Sequence, residues 1–284
     1  MANTGILRLD LPLKGSLTPA YVASSAIVLL MMGASLAGLL RSAAVYPARD
    51  LLRAFLPNDV VNLIVGMPML LASMWLARRG ALLGLLLWPG ALLYALYNYL
   101  VPLFAVPLNM GVLLYLVLVA LSLYTLVGLV ACIDAGAVRD RLAGAVPEKA
   151  GGAILAGFGV LFLLRAAAVM AAAALRHSSP GAPELAVSYA DVLLTPAWII
   201  GGVSLWRRNA FGYLSGLALL FQASTLFLGL IAYMILLPYT VGERFVPRDA
   251  AVVCAMGLIF FIPFGMFSRG VAGKRVLRLP RSQS

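Results

Sequence analysis

The run GFGVLFLLRAAAVMAAAALRH, residues 157–177, is almost pure hydrocarbon with one cation, Arg165, near its middle. A guanidinium is permanently charged and carries five N–H donors. Alone at the centre of a membrane helix it costs about 2.5–3.5 kcal/mol on insertion scales. It therefore calls for an acid on a neighbouring segment, and the next apolar run supplies one, Asp191. If the two runs form antiparallel helices, Arg165 lies about 20 Å and Asp191 about 22 Å from the same membrane face. At matched depth they can form a charge-assisted pair. Two kinds of chemistry are open to such a pair. It can hold an anionic ligand on Arg165, with Asp191 as the counter-charge of the empty state, or it can be structural glue between helices.

Other polar residues gather in the same half of the apolar segments: Asp59 and Asn62, then Tyr94, Tyr97 and Asn98, then Asn109 and Tyr115, and Gln222 with Ser224 and Thr225. The opposite half has little beyond Ser73 and Asp134. Arg165, Asp191, Asn98, Tyr97, Tyr94, Gln222, Asp59 and Asn62 are the candidate ligand-binding set. For Asn98 and Gln222, hydrogen bonding between helices is the plainer role. Glu184, Glu243 and Asp249 read as solvated loop charges.

The elements that must position these groups follow from composition. Of the 284 residues 63% are hydrophobic and 11% charged, and the mean hydropathy is +1.01. Soluble domains carry about 25% charged residues, so this chain cannot cover a water-facing surface. Eight segments reach the length of about 20 apolar residues that crosses a bilayer: 18–40, 59–77, 81–101, 110–133, 152–175, 186–206, 210–237 and 249–268. The expected fold is an all-α polytopic bundle in a single transmembrane domain. The first run is longer than a signal-peptide core of about 7–15 residues, so it reads as a retained span; cleavage would leave seven.

The net charge of +11 reflects topology rather than nucleic-acid binding. With both termini cytoplasmic, 14 Lys and Arg lie inside and 6 outside, the expected bias for a multi-pass protein of the cell membrane. The basic tail over 270–284 suits anionic lipids. In the loop ARDLLRAFLPND, Leu51, Leu52, Phe55 and Leu56 recur at helical spacing opposite Arg49, Asp50 and Arg53. This fits a short amphipathic helix on the outer interface or a solvated loop. Cys132 and Cys254 sit in apolar stretches, with buried packing as the expected role.

Residues 58–87, NDVVNLIVGMPMLLASMWLARRGALLGLLL, and 189–217, YADVLLTPAWIIGGVSLWRRNAFGYLSGL, share an order: Asp, Pro, Ser, Trp, Arg-Arg, then small residues. This points to a duplication with halves 1–145 and 146–284, four spans each in parallel, or to convergence on a common helix end. Residues 66–100 and 191–220 also resemble segments of an uncharacterised family of bacterial multi-span integral membrane proteins. That resemblance implies a helical bundle and carries no activity, ligand or cofactor.

The only histidine, His177, falls in a loop, which excludes His-based catalysis or a His metal cluster within the spans. No phosphate-binding, nucleophile-elbow or dinucleotide motif occurs, and no cofactor is expected. Three functions stay open. One is a non-enzymatic protein that binds or transports a small solute or ion. Another is an intramembrane or lipid-modifying enzyme using Asp191 or Asp59 as acid–base groups. The third is a structural partner of a membrane complex. A homo-oligomer is compatible with each.

Overall fold

Lipid solvates hydrocarbon, so helices with apolar outer faces and satisfied backbones are the stable elements of such a chain. The computed structural model describes residues 11–176 and 180–273. Arg8, His177 and the tail residues Lys274, Arg275, Arg278 and Arg281 lie outside the described residues. Among the described residues eight helices are long and apolar enough to cross a membrane. They are α1 (Thr18–Leu40), the bent helix formed by α3 (Arg49–Val61) and α4 (Met67–Arg78), α5 (Leu82–Ala105), α6 (Met110–Cys132), α8 (Glu148–Arg176), α9 (Ala182–Trp206), α10 (Ala210–Val241) and α11 (Pro247–Gly273). Short helices α2 (Ser42–Val45) and α7 (Ala135–Leu142) sit in connections. The protein is a multi-pass integral membrane protein in contact with the lipid bilayer.

The second span corrects the expectation for residues 49–58. They are neither a separate interfacial helix nor a loop, but the first turns of a 30-residue span, Arg49–Arg78. Leu51 and Phe55 are buried, and Arg53 pairs with Glu243 at 3.0 Å, so Glu243 is not a free solvated charge. A π-helical turn, Asn62–Gly66, joins α3 to α4 just before Pro68. Proline lacks an N–H and its ring clashes with the carbonyl four residues back. The wider turn relieves that clash.

α5 is apolar on all sides and is buried along nearly its whole length, as such a helix must be. Trp88 donates through Nε1 to Ser24 Oγ of α1 at 2.9 Å, and Tyr99 donates to the Met31 carbonyl at 3.3 Å. At Gly90 the backbone of α5 meets the Ala218 carbonyl of α10 so closely that a Cβ has no room. The hairpin of α8 and α9 is also closed by glycines. A Cβ on Gly152 would lie 2.6 Å from the Gly202 carbonyl oxygen, and one on Gly202 would lie 2.7 Å from that of Gly152. Small residues let membrane helices approach this closely.

The α4–α5 and α9–α10 corners share one geometry at a constant offset of 128 residues. Arg79 N–H donates to the Trp75 carbonyl and Arg207 N–H to Val203; Gly80 to Ala77 and Arg208 to Leu205; Ala81 to Leu76 and Asn209 to Ser204. Gly80 and Arg208 both have positive φ, 75° and 56°. Gly84 packs on Ala77 as Gly212 packs on Leu205. Arg79, not Arg78, is thus the counterpart of Arg207, and Gly90 of α5 touches its own counterpart, Ala218 of α10.

Cys132 and Cys254 are free. Cys254 is exposed on α11, not buried as expected, because α11 turns most of its surface outward and packs chiefly on α10.

Candidate functional site

The glycine-tight hairpin of α8 and α9 fixes the relative depth of Arg165 and Asp191. Arg165 stands about 16 Å from the second end of α8, and Asp191 about 14 Å from the adjoining start of α9. Arg165 Nη2 donates to Asp191 Oδ2 at 3.1 Å. Tyr97 of α5 donates through its hydroxyl to the other carboxylate oxygen, Oδ1, at 3.0 Å. One turn along α9, Thr195 donates to the Asp191 carbonyl at 2.7 Å. The Asp191 side chain is 8% exposed, whereas that of Arg165 is 43% exposed. The acid is held in place, and the cation opens outward.

It opens onto a cavity of about 520 Å³ bounded by residues of α3, α5, α8, α9, α10 and α11. Of the expected set, Arg165, Asp191, Tyr97, Tyr94, Asn98 and Gln222 line it. Tyr94 and Gln222 are counterparts at the 128-residue offset, one turn beyond the α5–α10 contact. Gln222 accepts from Trp198 Nε1 at 3.0 Å, and Asn98 donates to the Tyr94 carbonyl within its own helix at 3.0 Å. Below them the rings of Phe158, Phe162, Trp198, Phe227 and Phe260 form one aromatic cluster, with centroids 4.7–6.1 Å apart.

Asp59 and Asn62 are not part of this lining. Asn62 faces Tyr94, whose hydroxyl is 3.5 Å from its Oδ1. Asp59 belongs to a separate buried cluster: Tyr46 donates to its Oδ2 at 2.8 Å, the Tyr115 hydroxyl lies 3.4 Å from that of Tyr46, and Gly38 leaves room for the carboxyl. Burial first, and then the charge of Asp59, hold the Tyr46 phenol well above its ordinary range, so it stays a donor. Tyr46 lies between helices, where no periodicity could have marked it.

Asn109 is a helix cap, its Oδ1 accepting from the N–H groups of Gly111 and Val112. Asp134 caps α7 in the same way. At that end of the bundle the polar balance differs from expectation, because Glu148 is buried too. It accepts from Gly144 N–H at 2.8 Å and from Tyr213 Oη at 3.0 Å, with Arg208 at 4.0 Å. Its place beside Lys149 at a helix start had no sequence signal of burial. Among the described residues no group of three or more His, Cys, Asp or Glu could hold a metal ion.

No protein-family model, curated protein or solved structure matches the chain.

Proposed function

We propose that this protein binds a small solute in the cavity beside Arg165 and carries it into or across the membrane without chemical conversion. The observation that carries this reading is the placement of the Arg165–Asp191 pair: its acid is buried, and its half-exposed cation lines about 520 Å³ of space. Pure glue between helices needs no such volume. Pockets of about 300–1,000 Å³ are typical of small-molecule sites.

The geometry suits an exchange of partners. An acidic group arriving at Arg165 takes the place of Asp191 Oδ2, while Tyr97 continues to hold Asp191 through Oδ1. A ligand that trades one pair for another can bias two arrangements of the bundle. The constant offset between the two helical corners supports a duplicated chain with parallel halves. The cavity then lies between those halves, where transporters built from repeats place their sites. By the charge bias the cavity faces outward and the termini lie in the cytoplasm, in the cell membrane, with the basic tail on anionic lipids.

Thermal unfolding of the detergent-solubilised protein, titrated with a panel of carboxylates and phosphates, tests the reading. Wild type should be stabilised by at least one of them, and Arg165→Ala and Asp191→Asn should lose the effect. If both variants fold and respond as wild type does, the site is elsewhere.

A further inference from the structure

We infer that the ligand is an amphiphile: a single-chain, lipid-class molecule whose acidic headgroup meets Arg165 and whose hydrocarbon fills the rest of the cavity. This rests on the reading of Arg165 and Asp191 as a binding site and names what that site takes.

Arg165 is the one cation on the cavity wall, and several of the other polar groups there are already engaged. Tyr97 is spent on Asp191, Trp198 on Gln222 Oε1, and Asn98 on the Tyr94 carbonyl. Arg165 makes one hydrogen bond, to Asp191, and its guanidinium has further N–H groups to offer. α10 also brings Gln222 and Tyr233, whose hydroxyl donates to the Arg53 carbonyl, but Leu226, Phe227, Leu230, Val253 and Met256 of α10 and α11 make an apolar wall. A sugar-like solute would bury hydroxyls against these side chains without partners, at a cost for each. A hydrocarbon chain has no such penalty, and a single acidic head uses the one cation.

The route in is lateral. α8 and α11 meet at the Phe158–Phe260 ring contact, 4.7 Å between centroids. Nearer the level of Arg165, Phe162 of α8 and Val253 and Met256 of α11 line the cavity instead. On the outer surfaces of the same two helices, Leu161, Leu164, Val252 and Ile259 are exposed and therefore lipid-facing. A molecule already dissolved in the bilayer can pass between α8 and α11 tail or head first, and need never cross water.

The test uses the full chain in detergent and direct binding measurements. The probes are a long-chain carboxylate, the alkyl phosphate and the alcohol of the same chain length, a short-chain carboxylate and inorganic phosphate. The expected result is saturable one-site binding of the long-chain carboxylate or the alkyl phosphate, with the alcohol and both short anions at least about tenfold weaker. Arg165→Gln should weaken the long acid by at least about tenfold, and Arg165→Lys should restore part of the loss. Met256→Trp, which fills the apolar part and leaves the ion pair alone, should abolish binding of the long chain but spare the fold, as judged by its melting temperature. If a short anion binds as tightly as the long acid, the amphiphile is refuted and the Arg165 site survives. If acid and alcohol bind alike and Arg165→Gln changes nothing, the headgroup assignment and the site reading fall together. Binding of no probe overturns both.

Discussion

Removing the two partners of the ion pair separately and together should show strong coupling. Asp191→Leu leaves a guanidinium in the membrane interior with no acid, and Arg165→Leu leaves a carboxyl that is 8% exposed with only Tyr97 for a partner. Breaking a fully buried pair costs about 3–5 kcal/mol. Here the Arg165 side chain is 43% exposed, so its surroundings can screen it. The loss for each single variant should then be about 1–3 kcal/mol. The double variant Arg165→Leu/Asp191→Leu removes both charges and strands only the Tyr97 hydroxyl. It should be more stable than the sum of the singles implies, with a coupling of about 1–3 kcal/mol. Equilibrium unfolding in mixed micelles of mild detergent and dodecyl sulfate measures all four corners of the cycle. Additivity within about 0.5 kcal/mol would refute the argument, since two charges that do not sense each other are not a pair.

Gly202→Ala should cost about 1–3 kcal/mol, because its Cβ would fall 2.7 Å from the Gly152 carbonyl oxygen, while Gly157→Ala, whose Cβ meets open space, should stay within about 0.5 kcal/mol; melting temperatures in detergent compare them. Asp59→Asn keeps an acceptor for Tyr46 and should be milder than Asp59→Leu, which leaves that buried hydroxyl only the 3.4 Å contact with Tyr115 and should cost about 1–3 kcal/mol; the same assay reads the difference, and equal losses would mean that the hydrogen bond to Asp59 contributes little. Glu148→Gln should likewise be milder than Glu148→Ala, which leaves both Gly144 N–H and Tyr213 Oη without their acceptor, and proteolysis of the α7–α8 connection should accelerate only in the alanine variant.

The spans were legible because the solvent is lipid: an unbroken apolar run of sufficient length has few other fates. The limit of that logic is the start of the second span. Arg49, Asp50, Arg53, Asn58 and Asp59 dilute its hydropathy, yet the chain is already helical there, held by the burial of Leu51 and Phe55 and by the Arg53–Glu243 pair. Glu243 is remote in sequence, and nothing local announces it. The Arg165–Asp191 pair was legible for the opposite reason. Its partners lie on consecutive antiparallel helices, where counting residues gives depth, and depth is most of what a contact between neighbours requires. The cavity was not legible, because its walls come from helices that do not follow one another, and empty space leaves no mark on any one of them.

The three buried acids among the described residues show how far counting can go. Asp59, Glu148 and Asp191 are each below 10% exposed, and each solves the same problem of a carboxyl removed from water. Asp59 has a phenol from a connecting segment. Glu148 has a backbone N–H, a phenol and a cation at 4.0 Å. Asp191 alone has a cation in hydrogen-bonding contact, and alone lies on the wall of the cavity. Neither Asp59 nor Glu148 lines the 520 Å³ cavity. At Asp191 the cation is half out of the packing, so the pair can open without unfolding anything around it. That difference, rather than burial or charge by itself, is the ground for proposing a ligand site at Asp191 and not at Asp59 or Glu148.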